Sequence, residues 1–185
     1  MNKIVPEYFS EEMLKRRVKI RPAAQSLQKE IKISIRQLIA IDEDVIVIGL
    51  LSLTNGNLKG NDLRYFAHVV EVRGDFHCDN NQLTTLEYTP KEIGGYFYCT
   101  NNLLISLEGS PVKVGGSINC SGNQLVSLKG VTLDLGGSFL SMGNPVEFDY
   151  LKYRAKQNAQ GSLPKLMTTS SLELHSEAES TQLHI

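Results

Sequence analysis

Gly94-Gly95-Tyr96-Phe97-Tyr98-Cys99-Thr100-Asn101-Asn102-Leu103-Leu104-Ile105-Ser106-Leu107 is one unit of a repeat. A step of 21 residues towards the C-terminus reaches Gly115-Gly116-Ser117-Ile118-Asn119-Cys120-Ser121-Gly122-Asn123-Gln124-Leu125-Val126-Ser127-Leu128. The same step backwards reaches Gly74-Asp75-Phe76-His77-Cys78-Asp79-Asn80-Asn81-Gln82-Leu83-Thr84-Thr85-Leu86. A further copy begins Gly136-Gly137-Ser138-Phe139-Leu140-Ser141-Met142-Gly143-Asn144 and departs at Pro145. A fixed period of this size marks a solenoid, in which each unit buries its apolar face only by stacking on the next.

Within each unit, apolar and polar residues alternate over a short segment: Phe76 and Cys78, Phe97 and Cys99, Ile118 and Cys120, Phe139 and Ser141. Period-two alternation predicts a strand with one buried face, and stacked copies make a parallel sheet. Asn81, Asn102, Asn123 and Asn144 follow where the chain leaves the strand. An asparagine there can bond the backbone of its own turn and of the adjoining coil. Leu83, Leu104 and Leu125 return to the core, as do Leu86, Leu107 and Leu128. The paired glycines allow a positive φ or a tight bend ahead of the next strand. An irregular coil on the same template, Leu51-x-Leu53-x-x-Gly56-x-Leu58, precedes the regular ones.

The pattern apolar-x-apolar-x-x-Asn-x-Leu-x-x-Leu, with a proline four residues on, resembles the leucine-rich repeat. It looks most like the short variety carried by bacteria and phages, which shares the Gly-Gly before the strand and a cysteine in the second strand slot. The leading leucine of that family is Arg73, Gly94 or Gly115 here, with Val72, Ile93 and Val114 one place earlier as substitutes. The resemblance covers residues 70–146. It implies an α+β fold: a leucine-rich-repeat-like β-solenoid with a parallel sheet of one strand per coil and a helical N-terminal cap. The expected division is a cap over 1–50, the solenoid over 51–146, and a C-terminal cap with a polar tail over 147–185. The function it implies is protein–protein interaction, as a phage- or bacterium-encoded binder or inhibitor of a host or rival protein. Some bacterial effectors with this repeat carry a large ubiquitin-ligase domain after it; residues 147–185 are too few for one.

An open stack must be capped at its ends. Ser10 before Glu11 and Glu12 is a helix-start signal, with Met13, Leu14, Val18 and Ile20 as the buried face. A second helix is expected from near Pro22 through Leu27, Ile31, Ile35 and Leu38, and a strand over Val45–Leu51. The alternative for residues 1–50 is a separate functional module. Phe148–Tyr153 reads as a short helix or strand over the last coil. Beyond Gln157 the Ser, Thr, Gln and Glu content predicts a mobile tail or a segment that folds on a partner.

The formal net charge is −1, but it is unevenly placed. Residues 1–36 hold nine Lys or Arg against four Glu, and residues 37–146 hold six basic against eleven acidic side chains. The basic head, Lys15, Arg16, Arg17, Lys19 and Arg21, is either a solvated surface or the footprint of a nucleic-acid partner. The N-terminus turns acidic before any apolar run, so no signal peptide is expected. The longest apolar stretch, Val45-Ile46-Val47-Ile48-Gly49-Leu50-Leu51, is too short to span a bilayer, and no membrane partner is expected. Three in-register cysteines close no disulfide framework, which points to reduced thiols in the cytoplasm of a bacterium or an infected cell.

Chemistry is hard to assemble from these residues. Cys78, Cys99 and Cys120 would form a column about 4.8 Å apart, which does not converge on a tetrahedral metal. No base is indicated beside any of them, and His68, His77, His175 and His184 form no close pair. No cofactor, metal or catalytic residue is expected, and the chain reads as a non-enzyme. The outward strand slots are the expected partner face: Asp75 and His77, Tyr96 and Tyr98, Ser117 and Asn119, Ser138 and Leu140. In leucine-rich repeats this is the concave, ligand-taking surface. Asp75, His77, Tyr96, Tyr98, Asn119 and Leu140 are the candidate contacts, although the two tyrosines can also simply cover the sheet as cross-strand neighbours. Self-association through an exposed coil end or strand edge is a further possibility.

Overall fold

The structure, a computed structural model, describes residues 4–24, 30–132 and 134–145. The chain enters through α1 (Glu11–Lys15), whose first turn is closed by the Ser10 hydroxyl accepting from the Met13 amide at 3.4 Å. It continues into β1 (Arg17–Pro22), antiparallel to β2 (Ile31–Ser34), and then α2 (Ile35–Ile39). The expected single helical face is therefore divided. Met13 and Leu14 are buried on α1, whereas Val18 and Ile20 are buried on β1, with Lys19 between them and Arg17 ahead of them facing out. That alternation, with β-branched residues at the buried places, suits a strand. The second helix starts at Ile35 and not near Pro22, because Ser34 and Gln37 form a reciprocal capping box there. Leu27 lies outside the described residues.

From β3 (Val45–Val47) the chain coils: β4 (Leu51–Ser52), β5 (Lys59–Gly60), a 3-10 turn (Asp62–Phe66), β6 (Val69–Val72), β7 (Phe76–His77), β8 (Gln82–Leu83), β9 (Glu92–Ile93), β10 (Phe97–Tyr98), β11 (Lys113–Val114), β12 (Ile118–Asn119), β13 (Asp134–Leu135) and β14 (Phe139–Leu140). The result is a parallel-strand β-solenoid of about five turns with two α-helices among the described residues. The expected ladder is the five-stranded sheet β14-β12-β10-β7-β4. A second ladder runs just ahead of it in the order β13-β11-β9-β6-β3-β1-β2, so the cap hairpin and the solenoid share one sheet. The predicted strand Val45–Leu51 is broken at Gly49 (φ 109°), and its halves join different sheets. Phe148–Tyr153 and the tail beyond Gln157 lie outside the described residues.

The core consists of columns, one residue per coil. Phe76, Phe97, Ile118 and Phe139 are at most 2% exposed, and the Phe76 and Phe97 rings stack with centroids 5.6 Å apart. Cys78, Cys99 and Cys120 are fully buried free thiols in the next column. Of the two reasons expected for the Gly-Gly corners, the bend is present and the positive φ is not. None of Gly94, Gly95, Gly115, Gly116, Gly136 and Gly137 has a positive φ. A Cβ on Gly94, Gly115 or Gly136 would overlap the carbonyl oxygen of Arg73, Gly94 or Gly115 in the coil before. Close backbone approach selects glycine at these corners.

The asparagines hold the coils together. The Asn102 side-chain amide donates to the carbonyls of Cys78, Cys99 and Thr100 at 3.0–3.2 Å, and its oxygen accepts from the Leu83 amide at 3.1 Å. Asn123 repeats this with Cys99, Cys120, Ser121 and Leu104, and Asn144 with Cys120, Ser141, Met142 and Leu125. Asn81 reaches back to Leu53 and Leu58 of the irregular coil. In that coil the slot belongs to Gly56, whose carbonyl accepts from the Ser10 amide at 2.9 Å. Met13 Sδ would lie 2.6 Å from a Cβ there, so the cap occupies the space of a side chain.

Candidate binding face

In a strand, residues two apart share a face. The core side of the five-stranded sheet takes Phe76 and Cys78, so Asp75, His77 and Asp79 face outward, and every coil follows suit. Three outward columns result: Leu50, Asp75, Tyr96, Ser117 and Ser138; Ser52, His77, Tyr98, Asn119 and Leu140; Thr54, Asp79, Thr100, Ser121 and Met142. The middle column is fixed by the ladder itself, in which Ser52, His77, Tyr98, Asn119 and Leu140 are consecutive register partners. All six candidate contacts read from the sequence therefore lie on one surface.

Its centre is aromatic and acidic. The His77 and Tyr98 rings meet edge-on with centroids 4.6 Å apart, and the Tyr96 and Tyr98 centroids are 6.0 Å apart at a tilt of 36°. Tyr96 is 47% exposed. Asp75 Oδ1 accepts from the Tyr96 amide at 2.8 Å. Asp79 Oδ1 accepts from the Thr100 amide at 3.0 Å and the Thr100 hydroxyl at 2.8 Å, while its Oδ2 lies 3.4 Å from the Thr54 hydroxyl and 4.0 Å from His77 Nδ1. His77 Nε2 is enclosed and has no hydrogen-bond partner among the described residues. These bonds link neighbouring coils, so the carboxylates brace the surface as well as charging it.

Asp79, Thr100, Ser121 and Met142 were not among the sequence candidates. The alternation reaches the cysteine and can be extended one step, but the asparagine turn just beyond disguises that step as loop. Arg16 was placed with the basic head, yet it belongs to this surface. Its guanidinium donates to the carbonyls of Ser52 and Thr54 and to the Ser52 hydroxyl, at 2.7–3.4 Å, and pairs with Glu12 at 3.4 Å. The carbonyls at the free edge of the first coil thereby gain donors that a preceding coil would otherwise provide. Lys15 is exposed on α1, and Arg17 and Lys19 are exposed along β1 with Arg21 two places on. Of the five basic residues, Arg16 is engaged by the first coil, and Arg17, Lys19 and Arg21 follow one another at alternate places along β1. Lys32 is the register partner of Lys19, which pairs with Glu30 at 3.6 Å.

The thiols sit on the other side of this sheet. Burial pushes Cys78 and Cys99 well above the ordinary cysteine range, and Cys120 up to about 12. All three are neutral at physiological pH, and a neutral thiol is a poor nucleophile and metal ligand. Among the described residues no group of three His, Cys, Asp or Glu is arranged to hold a metal ion, and no helix is long and apolar enough to cross a membrane. Comparison with protein-family models, with curated proteins and with solved structures finds no match for this chain.

Proposed function

We propose that this chain is a non-enzymatic protein-interaction module that engages its partner through the outer face of the five-stranded sheet. The observation that carries the reading is the aromatic centre: Tyr96 and Tyr98 lie side by side on a stiff ladder, with no hydrogen bond from either hydroxyl to another described residue. Tyrosine delivers large contact area at low conformational cost and is enriched among the residues that dominate interface energies. The likeness to the leucine-rich repeat of bacteria and phages makes a phage- or bacterium-encoded binder or inhibitor of a host or rival protein the natural biological setting, in a cytoplasm. In the test, the full chain and its Tyr96→Ala/Tyr98→Ala variant are used as bait in parallel. A protein retained by the first and lost with the second, at equal thermal stability, supports the reading. Identical retention by both contradicts it.

A second reading uses the cap. Arg17, Lys19 and Arg21 alternate along β1 with Lys32 across from them, a spacing that suits successive phosphates. Binding of nucleic acid there would be steeply salt-dependent. Absence of any gel retardation of DNA or RNA in low salt removes this reading.

A further inference from the structure

We infer that the partner segment received by this face is cationic, and that an arginine side chain stacked on Tyr96 and Tyr98 beside Asp75 is its recognition element. The inference rests on the binding reading above and specifies the chemistry of the partner. Across the three outward columns, Asp75 and Asp79 are the two acidic side chains among the described residues, both in the coil adjoining the tyrosine pair; Asp79 is 8% exposed with both oxygens engaged, so Asp75 is the carboxylate a ligand reaches. The single bond described for Asp75 uses Oδ1, which leaves Oδ2 for a ligand. Arg16, at the edge of the surface, is committed to the Ser52 and Thr54 backbone and to Glu12, and Arg73, two residues before Asp75, pairs with Glu71. The coils behind do not oppose the carboxylate charge: apart from Asp75 and Asp79, residues 45–146 carry six acidic and six basic side chains.

Arginine fits this combination better than lysine. Its planar guanidinium lies on an aromatic face while its edge donates to a carboxylate, and it gives up water more readily than an ammonium group. Tyr96 and Tyr98 supply the aromatic faces, and Asp75, bonded to the Tyr96 amide, places a carboxylate at their border.

The test uses the full chain and two probe peptides, acetyl-Gly-Arg-Gly-amide and its citrulline counterpart, which keeps the shape and loses the charge. NMR titration follows the ring resonances of Tyr96 and Tyr98. The arginine peptide should shift both rings saturably, with the citrulline peptide roughly tenfold weaker, the combined worth of an exposed cation–π contact and ion pair. Asp75→Asn keeps the acceptor for the Tyr96 amide and hence the fold, and should weaken the arginine peptide about twofold to fivefold. Equal shifts from both peptides, or arginine shifts confined to other residues, overturn the inference. A protein retained through the tyrosines separates the two levels. If Asp75→Asn/Asp79→Asn leaves its retention intact while Tyr96→Ala/Tyr98→Ala abolishes it, the cationic partner is wrong and the binding face stands. If neither variant changes retention, the face itself is wrong.

Discussion

The two sides of the five-stranded sheet follow different rules. Inward, the columns are nearly uniform: Phe76, Phe97, Ile118 and Phe139 in one, Cys78, Cys99 and Cys120 in the next. Outward, the same strands carry Asp75, Tyr96, Ser117 and Ser138, then His77, Tyr98, Asn119 and Leu140, with no residue type shared between the tyrosine pair and its neighbours. Interior packing at near-crystalline density explains the first side, because a slot repeated in register accepts one shape. The second side meets no such demand. Asp75 and Asp79 brace adjoining coils, whereas the Tyr96 and Tyr98 hydroxyls make no bond to another described residue, so it is the tyrosines that the ladder does not require.

Changes to the inner scaffold should cost stability and changes to the outer face should not. The largest effect is expected for Asn102→Ala. It removes one of two donors from each of the Cys78, Cys99 and Thr100 carbonyls, which keep Asn81, Asn123 and the Asn80 amide, and it leaves the buried Leu83 amide without an acceptor. With about 1–3 kcal/mol for the one unsatisfied buried amide and about 0.5–1.5 kcal/mol for each bond lost, the loss should be about 3 kcal/mol in urea unfolding. A loss below about 1 kcal/mol would show that the ladder is not what holds adjoining coils. Gly109→Ala comes next, at about 2 kcal/mol. Gly109 has φ 87°, and a Cβ there would stand 2.5 Å from the Glu87 amide nitrogen of the coil before. The same slot one coil earlier is Tyr88, at φ 70° and 41% exposed, where no regular coil precedes it. Tyr88→Gly should therefore be within about 0.5 kcal/mol of neutral, relief of backbone strain offsetting the greater freedom of glycine in the unfolded chain.

Each thiol gives a smaller, pH-dependent effect. The folded chain holds the Cys120 proton up to about 12, whereas the ordinary thiol value is 9.0. Above pH 9 the unfolded chain releases protons that the folded chain keeps, so stability is full below about pH 9 and falls as pH rises towards 12. The limiting slope is about 1.4 kcal/mol per pH unit for each such thiol. Urea midpoints at pH 8 and pH 10 should drop accordingly, and Cys120→Ala should flatten its share of that drop. An equal drop in the variant would show that other groups are responsible. On the outer face, Tyr96→Ala with Tyr98→Ala should shift stability least, by about 1 kcal/mol or less, the worth of a cross-strand aromatic pair. A larger loss would mean that these rings serve mainly to cover the sheet.

What could be read from the sequence, and what could not, follows from the repeat. The solenoid, its core columns and the asparagine turns were legible because each error in a single coil is corrected by the others: four asparagines at one step leave little room for accident. The cap has no such redundancy. Val18 and Ile20 fit a helical face or a strand equally until β2 is known to pair with β1, although Ser34 with Gln37 was a readable sign of where α2 begins. The second ladder was hidden because β9, β11 and β13 each carry one apolar residue, Ile93, Val114 and Leu135, whereas the equally short β7, β10 and β12 lead on to a second buried residue two places later, Cys78, Cys99 and Cys120. Arg16 was illegible for another reason. Its role depends on a carbonyl edge 36–38 residues away, which no local pattern announces.

The direct measurement of the binding claim is site-specific photocrosslinking of the full chain in its host cell, with a photoreactive phenylalanine placed either at position 98 or at position 126. Val126 is 61% exposed and lies beyond the asparagine turn, off the proposed surface. A protein adduct formed from position 98 and absent from position 126 is the predicted result. An adduct from position 126 with none from position 98 would contradict it.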